Sequence, residues 1–312
     1  MTGLILLKER LVGFYSRCES FIVPILKFLL AFIVLTLINN DIGFMSKIDN
    51  AVIVIIVALM CSFLPTNMIV VFSALFVALH LYSLSLECAA VVIMVFLIMF
   101  VFYFRFSPKD AIAVLLIPIC FKLKIPYVVP MALGFVGTPL SCVSAGCGVV
   151  SYYMINYVKD NSDSLTSDLA DPEAALSNFK YIIDGLLGSD EMLLMAITFA
   201  VVVVTIFLIK SLPVDYSWKI ALGVGSVVNI LILLVGSSAL EVDLSIGGVV
   251  LSTIISALLA LILQFFVFDV DYSRTENVQF EDDEYYYYVK AIPKVTVEEP
   301  SVEVKRINPQ RR

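Results

Sequence analysis

The chain has 312 residues, of which 61% are hydrophobic and 15% charged, and its mean hydropathy is +1.00. A soluble domain has about a quarter of its residues charged, so this composition excludes a water-soluble globular protein and points to a polytopic membrane protein. The formal net charge of −7 does not describe an acidic surface, because the acids concentrate in residues 160–191 and 281–303, one loop and one tail.

In chain order, residues 1–19 read as a cytoplasmic segment interrupted by Lys8, Glu9 and Arg10. The apolar run that follows ends in LINNDIGF rather than a small-residue cleavage pattern, so the first span is expected to remain as an anchor. About 20 apolar residues cross ~30 Å of hydrocarbon. Runs near that length occupy 20–38, 50–65 and 67–83 (a hairpin over Pro65-Thr66-Asn67), 87–104, 139–158, 191–209, 218–236 and 245–268. The expected fold class is therefore all-α, a transmembrane bundle of about eight spans with membrane regions at 20–158 and 191–268. No alternating barrel strands appear, and in lipid the backbone must otherwise pair its own groups within helices.

Positively charged connections resist translocation. Lys8, Arg10, Arg17, Arg105, Lys109, Lys210, Lys219, Arg274 and the terminal KRINPQRR fall on one side if both termini are cytoplasmic, with the acidic 159–190 loop outside. That count closes only if residues 110–138 make an even number of crossings. Each half of this stretch is too short to span comfortably, and Pro118, Pro126, Pro130 and Pro139 each remove a backbone donor. A re-entrant helical hairpin is expected, shielded by surrounding helices. Within the 159–190 loop, Asp171, Pro172 and the stripe Leu176, Phe179, Ile183, Leu186, Leu187 predict an amphipathic surface helix.

Lys122 and Lys124 lie between the two apolar halves of the broken stretch. They either help bind an anionic substrate group or set a gate, or they are a turn whose lysines snorkel to water. Pro126, Pro130, Gly134, Gly137, Thr138 and Pro139 complete this candidate region; the run GFVGTPLSCVSAGCG also has the small-residue spacing that lets helices approach closely. ALGVGSVVN at 221–229 echoes ALGFVGTPL at 132–140, as an inverted repeat would. His80, the only histidine, stands near Glu87 as a proton-relay candidate or as a solvated interfacial residue. Asn229 sits mid-span as an interhelical hydrogen-bonding group, and Lys27 as an anchor. The six cysteines show no paired spacing and read as buried small hydrophobes. No P-loop, HExxH or GxSxG is present, so no enzyme activity, cofactor or metal is expected. Any energising ATPase would be another chain.

The segment 269–312 is read as a cytoplasmic tail. Its acidic cluster Glu281, Asp282, Asp283, Glu284 runs into Tyr285, Tyr286, Tyr287, Tyr288, and alternation at Val295, Val297, Val302 and Val304 predicts an extended strand able to add to a partner's sheet edge. The other reading is a solvated tail with its basic end on anionic lipid.

FSPKDAIAVLLIPICFKLKIPYVVP, the adjoining MALGFVGTPLSCVSAGCGVVSYYMI and the tail NVQFEDDEYYYYVKAIPKV resemble a poorly characterised group of bacterial multi-span membrane proteins that carry the loose label "ABC transporter permease". The resemblance implies a bacterial inner membrane location and transfers no substrate. Two functions are open at this point: a permease or transporter-like protein organised around the broken stretch, or a membrane scaffold recruiting cytoplasmic partners through the tail. The partners to consider are the bilayer, a cytoplasmic protein or ATPase subunit, and a second copy of the chain, with no nucleic acid among them.

Overall fold

A computed structural model of the chain describes residues 2–165, 180, 182–185, 188–267 and 276–291. It divides into two compact units, Glu19–Phe265 and a smaller one of Met1–Cys18 with Phe266–Arg312. The described helices are α1 (Thr2–Ile42), α2 (Ala51–Phe63), α3 (Thr66–Leu84), α4 (Leu86–Phe106), α5 (Ala111–Lys122), α6 (Val128–Val136), α7 (Ser141–Asp160), the single turn α8 (Ser162–Leu165), α9 (Asp190–Lys210), α10 (Ser217–Ala239) and α11 (Ile246–Val267). Strands β1 (Glu276–Glu281) and β2 (Tyr286–Ala291) form an antiparallel hairpin.

Six of the described helices are long and apolar enough to cross a membrane: Arg10–Ile42 within α1, then α3, α4, α9, α10 and α11. The chain is a multi-pass helical membrane protein. Two of the eight expected spans fall short of that test for different reasons. At 13 residues, α2 is only ~20 Å long, and α7 has the length, 20 residues, but is rich in Ser, Gly, Cys and Tyr. Nor is there a break before residue 20, since α1 is helical from Thr2 onward. Most of the expected surface helix at 171–187 lies outside the described residues; within it, residues 182–185 are helical.

Residue contacts fix the relative directions of α5 and α7, of α6 and α9, and of α9 and α10. Gly148 meets Ile117 and Phe121 stacks on Tyr152, a constant offset that makes α5 and α7 parallel. Tyr127 lies edge-on to Phe199 and Gly134 meets Ile206, which makes α6 parallel to α9. A Cβ at Gly134 would stand 2.6 Å from Ile206 Cβ and one at Gly148 2.8 Å from Ile117 Cβ. Only glycine allows these approaches. Across the next interface α10 runs against α9, with Gly225 on Ile206 and Gly236 on Leu194. In the two ALG segments the glycine that meets Ile206 is Gly134 in one and Gly225, two residues past the matching Gly223, in the other.

The α5–α6 corner ends its first leg with paired bonds from Ile125 N to Cys120 O and from Lys124 N to Phe121 O, the Schellman arrangement. Its left-handed position, usually glycine, is held by Lys124 at φ 59°. At the end of the second leg, Pro139 has no N–H to offer the Phe135 carbonyl four residues back. The Lys210 ammonium of α9 donates to that oxygen instead, while lying over the Phe207 and Trp218 rings.

Replacing Lys210 with Leu removes this charged hydrogen bond, a loss of about 1–3 kcal/mol, whereas Lys210→Arg retains a donor. The thermal midpoint of the purified protein is expected to fall clearly for the Leu variant and little for Arg; equal midpoints would show that the Phe135 carbonyl does not need Lys210.

Candidate functional site

Five helices, α1, α3, α4, α5 and α7, surround a cavity of about 80 Å³, well above the ~10–15 Å³ that one water needs. Its wall is apolar, with Val34, Leu37 and Ile38 from α1, Val70 and Val77 from α3, and Phe96, Met99 and Phe100 from α4. The broken stretch closes it with Val114, Leu115, Pro118 and Ile119. Two serine hydroxyls reach the lining, but Ser73 donates to Ile69 O at 2.7 Å and Ser151 to Cys147 O at 2.9 Å, each within its own helix. Water in the middle of the cavity would have few partners.

The two ends are polar in different ways. At one end Tyr103, 1% exposed, donates to Asn67 Oδ1 at 2.8 Å and lies 3.2 Å from Pro108 O. At the other, Asp41 of α1 receives Lys122 of α5 at 2.6 Å and Lys159 of α7 at 3.2 Å, both on Oδ1. The Asp41 side chain is only 12% exposed, against 30% for Lys122 and 46% for Lys159. A carboxylate so far from water must be paired. The two lysines on one carboxylate give this cluster two positive charges and one negative.

The corner bearing Lys122 and Lys124 therefore lies at the end of the bundle where α1 and α7 finish. Its inner side, with Tyr127 and Pro126 buried, packs in an aromatic cluster: Phe121 stacks on Tyr152 and Phe199, and Tyr153 donates to Glu191 Oε1 at 3.0 Å. Lys124 is exposed and does not line the cavity. Pro130 and Gly134 are buried at the α6–α9 contact. Gly137, Thr138 and Pro139 form the turn into α7, where Thr138 N donates to Ser141 Oγ at 3.0 Å. Of the sequence candidates, Lys122 alone reaches the cavity.

His80 is fully buried, and its partners are not Glu87. Met45 N donates to Nδ1 at 3.2 Å, and Nε2 lies 3.0 Å from Asn39 Oδ1. Asn39 Nδ2 donates to Ile48 O at 3.1 Å, which turns its oxygen toward the ring. Nδ1 accepts and Nε2 donates, so the ring is neutral with its proton on Nε2. Glu87 instead accepts from Ser85 Oγ at 2.6 Å at the start of α4. His80 thus fastens the α1–α2 connection to the end of α3, close to the Asp41 mouth. Asn229 joins α10 to α11: Nδ2 donates to Thr253 Oγ1 at 2.9 Å, and the Thr253 hydroxyl donates to Val249 O at 2.7 Å. The Asn229 oxygen finds no partner among the described residues.

The sequence reading missed Asp41, Asn39, Lys159 and Tyr103. An acid closing the first apolar run is a visible signal for Asp41. Its partners, 81 and 118 residues away, are not visible in the same way.

In the smaller unit, the β1–β2 hairpin takes the acidic cluster as its turn and the tyrosines as its second strand. The alternation expected at Val295–Val304 lies outside the described residues. Pairing of Val278 with Val289 and Phe280 with Tyr287 sets these four on one face, with the Phe280 and Tyr287 rings stacked at 4.9 Å. Asp282 accepts from Glu284 N at 2.9 Å, Tyr285 N at 2.7 Å and the Tyr287 hydroxyl at 2.9 Å. These donors hold its carboxyl below the usual carboxylate range. The same bond to Asp282 raises the Tyr287 hydroxyl.

Comparison with protein families, with curated proteins and with solved structures finds no match to this chain.

With a single histidine in the chain, nitrogen NMR of protein labelled only at histidine reads one ring. At pH 7 the spectrum is expected to show the neutral Nε2–H tautomer, unchanged by Glu87→Gln; an imidazolium pattern, or a change of tautomer in that variant, would contradict the assignment.

Proposed function

We propose that this chain is a permease or transporter-like membrane protein whose solute site is the five-helix cavity, with the Asp41, Lys122 and Lys159 cluster at its mouth. The observation that carries this reading is the cavity itself. A bundle serving only as a scaffold has no use for an apolar space beside a helix that carries Pro118, and packed interiors seldom keep voids larger than a water. The resemblance to the "ABC transporter permease" group agrees with it, and energy would come from a separate ATPase chain. Charge supports the orientation with both termini in the cytoplasm. Arg105, Lys109, Lys210 and Lys219 gather at the end remote from Asp41, as retained loops do, so the mouth opens to the outside of a bacterial inner membrane. No catalytic role is assigned.

The test is accessibility of single cysteines in a background lacking the native six, probed with small charged methanethiosulfonates on intact membranes. Ser151→Cys, which lines the cavity, is expected to react from the Asp41 side. Val149→Cys, fully buried on the same helix without lining it, is expected to be protected. Protection of both would remove the solute site and favour a packed scaffold.

A second reading has its own observation. The hairpin exposes Tyr285, Tyr286 and Tyr288 at 62%, 68% and 78%, and a lone two-stranded hairpin is marginal in water. It suits a scaffold that recruits a protein partner through residues 276–291. Asp282 carries the turn, and because its folded-state pKa is depressed, its contribution is present above about pH 4 and is lost as pH falls through the folded value. Amide protection of residues 278–289 is expected to be constant from pH 7 to 5, to drop below pH 4, and to be lost at all pH values in Asp282→Ala. Unchanged protection in that variant would show that the turn does not depend on this carboxylate.

A further inference from the structure

The chemistry of the mouth and of the wall together specify a ligand class. Asp41 shows what the mouth accepts: a carboxylate oxygen, held by two ammonium groups from different helices at 2.6 and 3.2 Å. The cluster holds two positive charges and one negative, so an entering anion neutralises the excess, whereas an entering cation would add to it. One turn below Asp41 on the same helix, Leu37 and Ile38 begin the apolar wall, and among the described residues the hydroxyls that line it belong to Ser73, Ser151, Tyr103 and Tyr152. Those of Ser73, Ser151 and Tyr103 already donate to protein oxygens. From Asp41 to Val34 and from Val77 to Val70 the lining runs two helical turns, ~10 Å. A purely polar anion would therefore lose its hydration without replacement beyond the first atoms, and a purely apolar molecule would leave the charge excess unanswered.

We infer that the cavity binds a short- to medium-chain carboxylate, its head on Lys122 and Lys159 and its apolar chain between α1, α3, α4 and α5. Asp41 is then a built-in competitor, resting on the two lysines until the ligand carboxylate replaces it. Asp41 and the ligand are both negative, so they cannot share the lysines without repulsion. No bond is made or broken, and Lys122 and Lys159 act as binding residues. The inference rests on the cavity being the solute site and adds what enters it.

The experiment uses the full chain in nanodiscs of zwitterionic phosphatidylcholine, with equilibrium binding of radiolabelled hexanoate measured against empty nanodiscs. Saturable binding is expected, tightening roughly threefold to fourfold per methylene from butanoate toward the length the cavity admits. Lys122→Gln should weaken it by at least about tenfold, as loss of a charged hydrogen-bond partner does. Asp41→Asn should tighten it several-fold, and this is the discriminating sign, because a cation site would respond in the opposite direction. Ala74→Leu fills the cavity from α3 without altering any charge, and should weaken hexanoate while leaving acetate unchanged, which keeps the test decisive if Asp41→Asn does not fold.

Competition by hexylammonium, or weaker hexanoate binding in Asp41→Asn, overturns the assignment. So does loss of hexanoate binding when anionic phosphatidylglycerol replaces the zwitterionic lipid, which would give the lysines to a lipid headgroup. Reactive Ser151→Cys together with hexanoate binding indifferent to Lys122→Gln would leave the cavity as a solute site and remove only the carboxylate. Protection of Ser151→Cys would remove both.

Discussion

A backbone carbonyl or amide left unpaired away from water costs several kcal/mol, and this chain interrupts its helical ladder at both ends of α6, after Lys122 and after Val136. How those breaks are satisfied determines much of the rest. The first is closed locally by the Ile125–Cys120 and Lys124–Phe121 bonds, which require a left-handed residue and place it where a side chain has room. The second is closed by Lys210 from a helix more than seventy residues away. Helix α9 is therefore held against α6 by a polar bond at one end and by glycine-permitted contact at Gly134.

The same arrangement leaves space on the far side of the hairpin. Helix α5, with Pro118 within it, runs beside the space between α1, α3, α4 and α7 and lines it from Val114 to Lys122. That space is the cavity. Its mouth is set where three helices end together, and Asp41, Lys122 and Lys159 meet there because α1, α5 and α7 run in the same direction. Charges at coincident helix ends can contact one another without burial in hydrocarbon. The nearby His80 node serves rigidity: with Nδ1 accepting and Nε2 donating, it pins the connection after Asp41 and so limits how far that carboxylate can move.

At the other end of the sequence, the tail uses a different physical logic. Its hairpin contributes alternation, with Val278, Phe280, Tyr287 and Val289 on one face, and an acidic turn whose geometry depends on one carboxylate. Asp282 does in water what Lys210 does within the bundle: it supplies a partner to backbone groups that the fold has turned away from their regular ladder. The tyrosines that look like a low-complexity run are, in three dimensions, a strand with two chemically distinct faces.

Membrane residence, helical class and the positions of most long helices follow from sequence alone, because length and apolarity are local properties and the bilayer imposes one spacing on all of them. Proline fixes a break just as locally, which is why the interruption between α5 and α6 is legible in the order of residues. The count of spans is less so, since α2 falls short in length and α7 in apolarity by margins that composition does not define. Pairings belong to the tertiary structure. Nothing in the order of residues shows that Asp41 meets Lys122 and Lys159, that Asn39 rather than Glu87 takes His80, or that Lys210 serves the Phe135 carbonyl. Those contacts join residues separated by 41 to 118 positions, and only the directions and offsets of the packed helices bring them to the same level.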